Sequence, residues 1–469
     1  MKTLAMVCAL LFVAAQSWAQ KEVQLPKDLP SYGPERPLSA PSVKIAKLDN
    51  GLTVWLVSEP GFPKVSFSFA VRGGLAADPS DRPGLSQLLG NTIDQGTKTL
   101  NAEQIAQQLQ AAGGDLSANP GKDSILLSIS VLSARQNDAL TVLSDLTRNA
   151  IFPDAEVILA KRNAADQLRQ QESQPSFVAG RAMAKILFGD HPYHVTSATQ
   201  GSISASTPDD LRKIYAERFR PDQALLVAVG DFESDKMLDA VKSRFGEWKS
   251  PSTSPVSDPG APSVTPQHAI YVIPRPGSVQ TTLELGAFGP LRNAEDYEAA
   301  RVATAIYGGT FGSRLVRNIR EDKGYTYSPF AVMRNYQAAG MLISQADVRN
   351  AVTAPSLNEI LYELNRMVTT SPTTDELDTA KRFLVGIEAI QLQARSAVSD
   401  ELARLWVSGL QPDAIGTYGR KVAAITSQDV DTAAKKYFPA AKTAIVAVGE
   451  EKVVRDALAP FGLPLNTAP

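Results

Sequence analysis

Gln87 and Asn91 stand four positions apart, with Gly90 between them. On a helix that spacing puts two side chains on one face. Two imidazoles so placed could share a Zn²⁺, and a carboxylate between them could take a proton from a metal-bound water. Here both outer positions carry carboxamides, which are poor zinc ligands beside imidazole, and glycine has no side chain to act as a base. The chain's other chemistry-bearing residues do not replace this site. His191-Pro192-Tyr193-His194 holds two histidines, but the proline between them favours a turn over a shared helix face. His268 stands alone. Cys8 is the sole cysteine, which leaves no thiolate cluster or disulfide framework to consider. The glycines of Gly308-Gly309-Thr310-Phe311-Gly312 lack the Gly-Lys-Ser/Thr of a phosphate-binding loop.

The elements that must carry these residues are legible from pattern. Asp49-Asn50-Gly51 between two alternating runs signals a hairpin. Val65, Phe67, Phe69 and Val71 alternate with Ser66, Ser68, Ala70 and Arg72, so a strand burying one face is expected. Leu127, Ile129 and Val131 alternate likewise. Helical periods run over Ala102–Ala112, Asn137–Ala150, Asp154–Gln171 and Pro208–Arg218. A repeat divides the chain. Thr207-Pro208-Asp209-Asp210-Leu211, running on to Phe219 and Ala224–Gly230, returns as Thr426-Ser427-Gln428-Asp429-Val430, running on to Phe438 and Ala444–Gly449. The offset is 219 throughout, which means two homologous halves rather than a solenoid. The Pro/Ser-rich stretch 250–266 reads as a semi-rigid linker between halves at 42–249 and 267–463. Strands mixed with helices in each half give an α+β class.

The text Gly84-Leu85-Ser86-Gln87-Leu88-Leu89-Gly90-Asn91, followed by Gly96-Thr97, resembles the active-site helix of the pitrilysin/insulinase-type zinc peptidases, the inverzincins, whose signature is H-x-x-E-H. The resemblance puts Gln87 and Asn91 at the two histidine positions and Gly90 at the catalytic glutamate. It puts Gln167, on a later helix beside Asp166, near the third zinc ligand. All four positions are therefore degenerate, and no metal or other cofactor is expected in this chain. The second half keeps more. Gly308-Gly309, Ser313-Arg314-Leu315, Arg320 and Gly324-Tyr325-Thr326-Tyr327 look like the C-terminal half of the same family. There an Arg and a Tyr, seven apart, bind the substrate backbone and stabilise the tetrahedral intermediate; Arg320 and Tyr327 match them. The alternative is that Arg320 pairs with Glu321 and Tyr327 fills a domain interface.

The resemblance covers nearly the whole mature chain and implies two inverzincin-like halves, each a mixed sheet with helices on one face. It implies a non-catalytic subunit that works on peptides with a zinc-bearing homologous partner, Arg320 and Tyr327 acting in trans. Zinc is expected in the partner. The segment Ser117-Ala118-Asn119-Pro120 through Ser124 resembles the edge strand on which these peptidases lay an extended substrate, with Ala118, Asn119 and Ser124 as contacts and Pro120 at the strand's entry. A stand-alone peptide-binding or scaffold protein is the alternative.

Residues 1–19 read as a secretory signal peptide. Lys2 gives the positive region, Leu4–Ala15 an apolar stretch of about twelve residues, too short to span a bilayer, and Ser17-Trp18-Ala19 the cleavage site. Residues 20–41 read as an extended arm. A periplasmic or secreted location follows, with a mature chain free of cysteine. A net charge of −2 gives no reason to expect nucleic acid or an anionic membrane as partner, and no later apolar run is long enough for a membrane span.

Overall fold

The computed structural model describes residues 40–469. The expected signal peptide, Cys8 and all but the last two residues of the arm lie outside the described residues.

Each half is built on a six-stranded mixed sheet. In the first half the strands are β1 (Val43–Lys47), β2 (Thr53–Ser58), β3 (Lys64–Arg72), β4 (Leu116–Pro120), β5 (Ser124–Leu132) and β6 (Ala224–Gly230). Their order is β1-β2-β6-β3-β5-β4, with β2 and β6 parallel and the other pairs antiparallel. The second half uses β7 (Ile270–Pro274), β8 (Gln280–Gly289), β9 (Phe330–Asn335), β10 (Gly340–Arg349), β11 (Ala444–Gly449) and β12 (Leu465–Thr467), in the order β12-β7-β11-β8-β10-β9. The sheets differ at one edge. The first closes on the antiparallel hairpin strand β1, the second on β12, which runs parallel to β7 and lies beyond the expected end of that half at 463.

The helices expected from periodicity form within a residue or so of their expected ends: Ala102–Ala111, Gln136–Asn149, Asp154–Glu172 and Pro208–Arg218. The repeat is reproduced at the level of single bonds. Thr207 and Asp210 form a capping box, the Asp210 N–H donating to the threonine hydroxyl at 3.2 Å and the Thr207 N–H to the carboxylate at 2.8 Å. Thr426 and Asp429 repeat both contacts at the same distances. Each helix then feeds a fully buried strand, β6 or β11.

One expectation is corrected. The alternation in β3 suggested a single buried face, yet Ser66, Ser68 and Ala70 are as buried as their apolar neighbours. The second face is covered by a helix of the other half, Arg395–Val407, which packs across β3, β5 and β6. Its Asp400 accepts the hydroxyls of Ser68 (2.5 Å) and Ser128 (2.7 Å), so polar side chains there satisfy a partner from across the molecule. The exchange is reciprocal. The first half's helix Pro175–Phe188 packs on β8 and β11 of the second sheet. Residues 250–266 contain no helix or strand and touch both halves: Thr253 O accepts from Arg220 at 2.7 Å, and Asp258 from the Gln337 amide at 3.1 Å.

At the second exchanged contact, Glu284 of β8 lies buried opposite Gly180 of the Pro175–Phe188 helix. Burial raises its pKa from the ordinary 4.5 to about 7, Arg334 opposing the shift. The folded state therefore holds the proton more tightly than the unfolded chain. Stability is highest below pH 4.5 on this account and falls as pH rises toward 7. Glu284→Gln should remove that slope, gaining on the order of 3 kcal/mol over the parent at about pH 8 and little at about pH 4. Urea unfolding at the two pH values measures this; equal effects at both would refute it.

Candidate functional site

The degenerate motif sits on the short helix Leu85–Gly90. Leu85, Leu88 and Leu89 point into the first core, which leaves Gln87 half-buried and Asn91, at the C-terminal cap, exposed. Gly84 starts the helix at φ 87°, a left-handed conformation, with the Ala198 backbone so close that a Cβ there would lie 2.5 Å from its Cα. The helix entry is held from below. Asp78 accepts the N–H groups of Gly84 (2.9 Å) and Ser86 (3.1 Å), doing the work of a cap from a distance in sequence. Its carboxylate in turn pairs with Arg218 at 3.0 Å, both side chains being essentially excluded from solvent.

Gln87, Asn91 and Gln167 do converge. With Pro120, Gln171 and Ser197 they line one cavity of about 200 Å³. Gln87 Oε1 accepts the Ala198 N–H at 3.2 Å, which ties the carboxamide to the neighbouring loop. Asp166 is exposed and pairs with Arg169 on its own helix. These residues do not fit zinc: three neutral amides supply neither imidazole nor carboxylate. The position of the catalytic base is also sterically closed. A Cβ on Gly90 would meet Pro120 Cγ at 2.5 Å and Cδ at 3.0 Å, so β4 has settled onto the helix where a carboxylate would stand. Among the described residues no group of three or more His, Cys, Asp and Glu side chains is arranged to hold a metal ion. His191 caps its own turn, with Nδ1 accepting from Tyr193 N–H at 3.2 Å and Nε2 donating to Gly260 O at 3.0 Å. His194 Nδ1 donates to His191 O at 2.9 Å, and His268 Nδ1 to Thr443 O at 2.8 Å. All three histidines are engaged with backbone.

The closure gives a test. Gly90→Glu should destabilise the protein by about 1–3 kcal/mol through overpacking against Pro120. Pro120→Ala in the same chain should recover most of the loss. Thermal unfolding of both variants measures this, and full tolerance of Gly90→Glu alone would show that β4 yields freely.

The edge strand differs in detail from its expected course. β4 ends at Pro120 rather than beginning there, and Ala118 and Asn119 lie on it at the edge of the sheet. Ser124 lies on the inner strand β5, between β3 and β4, where its carbonyl accepts Gly121 N–H at 2.7 Å. It is thus not part of the free edge.

In the second half, Arg320 and Tyr327 are brought together on a loop that starts from a π-helical turn, Arg317–Asp322. The Arg320 guanidinium lies over two rings, Phe311 at 4.0 Å and Tyr327 at 4.8 Å. Arg320 also pairs with Glu321 at 3.2 Å. Tyr327 is 81% exposed and Phe311 70%, so neither fills an interface within this chain. Phe311 went unrecognised in the sequence, where it reads as one more residue of a glycine-rich loop. Arg314 of the same motif has a different task. Buried, it forms a bidentate pair with Glu376 (2.7 and 2.8 Å) and donates to Thr370 O at 3.2 Å, joining the end of helix Thr353–Thr369 to the start of Thr374–Gln391. The paired guanidinium holds Glu376 well below the usual carboxylate range, at about 2.

Comparison with known proteins gives a consistent picture. A family model described as insulinase (peptidase family M16) matches residues 53–198, and one described as the peptidase M16 inactive domain matches 205–384. An uncharacterized zinc protease of Bacillus subtilis is 24% identical over 358 residues, 76% of this chain and 86% of that protein. A protein of Helicobacter pylori named a non-peptidase homolog is 23% identical over 332 residues, 70% of this chain and 76% of its own length. The crystal structure of a peptidase M16 inactive domain from Pseudomonas fluorescens superposes with a TM-score of 0.81 at 25% identity, covering 87% of this chain and 98% of that one. A Helicobacter pylori protease structure has the same fold, with a TM-score of 0.82 at 19% identity over 87% of this chain and all of that one.

Proposed function

Since the chain belongs to the insulinase-type M16 peptidase family, we propose that it is the non-catalytic subunit of a two-chain peptidase. A zinc-bearing homologous subunit supplies metal and base. This chain supplies Arg320 and Tyr327 across the interface, and the edge of β4 at Ala118 and Asn119 receives an extended peptide by β-augmentation. Both subunits work in the periplasm or outside the cell. No described helix is long and apolar enough to cross a membrane.

The observation that carries this reading is the contrast between the two candidate sites. At the first, the zinc positions are amides and the base position is closed by Pro120. At the second, the Phe311–Arg320–Tyr327 stack stands open to solvent on a π-helical turn, the kind of helical irregularity often found at functional sites. A partly exposed guanidinium beside an exposed phenol is suited to donating to an oxyanion or a peptide carbonyl, provided another chain brings the chemistry.

Two measurements on the purified chain follow. After equilibration with trace zinc and dialysis, metal analysis should find well under one zinc per chain. Peptide hydrolysis should be absent with or without added Zn²⁺, because the metal and base positions of this site hold amides and a glycine. One tightly held zinc, or chelator-sensitive turnover by a rigorously pure preparation, would overturn the assignment. Stable association with a co-encoded H-x-x-E-H homologue, and hydrolysis only by the mixture, is the positive result. Association without any hydrolysis would favour a scaffold role.

A further inference from the structure

The second half encloses a recess that this reading does not use. It measures about 430 Å³, roughly twice the Gln87 cavity. It lies among the helices Tyr297–Thr304, Thr374–Gln391 and Arg395–Val407, with β9 on one side. Helix Thr374–Gln391 corresponds, at the repeat offset of 219, to Asp154–Glu172, which carries Gln167. The recess is therefore the second half's version of the degenerate site, but here it has remained open and charged.

Three of its charges lack partners among the described residues. Arg292 lies over the Tyr297 ring at 4.4 Å, and Arg301 over the Tyr418 ring at 5.0 Å. Among the described residues neither guanidinium has a hydrogen-bond acceptor or a carboxylate within ion-pair distance. Glu388, on the facing helix, likewise has no donor within reach; burial, then Glu401, pushes its pKa up, and Arg301 and Arg292 oppose the shift. Arg404 is already taken by Glu401 at 2.9 Å. Beneath Arg301 the Tyr418 hydroxyl is buried with no hydrogen-bond partner among the described residues. Half-buried guanidinium and carboxylate groups are normally satisfied, and a guanidinium has five N–H donors to place. Two guanidiniums and a carboxylate line one recess without reaching each other. A ligand carrying both charges would close that gap.

We propose that this recess binds a small zwitterion, either a free amino acid or a short peptide that brings both of its charged ends. The carboxylate is received by Arg301 and Arg292, the ammonium group by Glu388, and the ligand's apolar side chain by Phe383 and Ile387 on the recess wall. The volume suits such a ligand, and planar guanidiniums are well matched to a carboxylate. This site does not depend on the proposed role of Arg320 and Tyr327, and it should work in the isolated chain.

Isothermal titration of the full chain tests it, with phenylalanine and the dipeptide Ala-Phe as probes, each also in N-acetylated and C-amidated form. Free-ended probes should bind, and capping either end should weaken binding by about tenfold or more. Arg301→Met should abolish discrimination against the amide, and Glu388→Gln discrimination against the acetylated form. Preference for phenylalanine would identify a free amino acid as the ligand, and preference for Ala-Phe a short peptide. Absence of binding by every probe would overturn the proposal, as would equal affinity for free and capped forms. Should Arg301→Met fail to fold by circular dichroism, Arg301→Lys keeps the charge and loses the fork. Unchanged affinity in a folded Arg301→Lys, together with no effect of capping on the parent chain, would equally refute it.

Discussion

In a reconstituted complex with a zinc-bearing homologue, Arg320→Ala is expected to lower kcat by about 10²–10³-fold, the usual cost of losing one oxyanion donor. The reasoning starts from the stack. Arg320 lies over Phe311 at 4.0 Å and Tyr327 at 4.8 Å, contacts that restrict its position before any substrate arrives. A donor that need not reorganise stabilises developing charge more than one that must be ordered during the reaction. The loss should therefore appear in kcat more than in KM. Tyr327→Phe keeps the ring on the guanidinium and removes only the hydroxyl, which separates donation from packing. Phe311→Ala keeps both donors and removes one side of the stack, so a smaller loss is expected. The competing possibility is that the Arg320–Glu321 pair at 3.2 Å is all that Arg320 does. A half-exposed pair of that kind contributes about 0–1 kcal/mol, so on that account Arg320→Ala changes stability slightly and turnover not at all. Size-exclusion chromatography and steady-state kinetics on one sample decide the matter. An intact complex with unchanged kcat would leave a scaffold role as the better account.

How much of this was legible in the sequence depends on the range of the interaction. Local patterns carried the capped repeat helices at Thr207 and Thr426, the buried strands after them and the hairpin at Asn50. The family resemblance carried the convergence of Gln87, Asn91 and Gln167, and of Arg320 with Tyr327. What escaped was held by contacts between residues far apart in the chain. Ser68 reads as a solvent-facing residue because alternation reports one face of a strand; only the arrival of Asp400, 332 positions later, buries it. Gly90 reads as a simple loss of a base. That Pro120 occupies the space is visible only once β4 is laid against the helix. Pro120 ends its strand and Ser124 lies inside, because a turn over 121–123 splits the segment read as one edge strand into β4 and β5. Arg314 and Arg320 are indistinguishable by residue type. Burial against Glu376 makes the first structural, while the second lies partly exposed over two aromatic rings.

Breaking the Asp78–Arg218 pair should be the most damaging single change to the fold. Both groups are buried, the carboxylate fully so, and Arg218 also donates to Ala77 O at 2.8 Å and to the Ser86 hydroxyl. Arg218→Ala leaves a buried carboxylate without its counter-charge, which costs about 3–5 kcal/mol. Asp78→Asn should be costly too, because it strands the guanidinium and weakens the acceptor for Gly84 and Ser86. Removing both charges, as Asp78→Asn with Arg218→Met, should cost much less than the two single losses added together, since no uncompensated charge remains. Urea unfolding of the three variants measures the coupling. Hydrogen exchange locates it: the amides of Leu85–Leu89 should lose protection before the rest of the sheet in Asp78→Asn, because Asp78 fixes the helix entry. Single variants costing under about 1 kcal/mol would mean that the pair is dispensable and the helix is held by Leu85, Leu88 and Leu89 alone. The expected result bears on function as well. A buried ion pair anchoring a helix stripped of its ligands would, under the proposed role, keep the first half as a wall for β4.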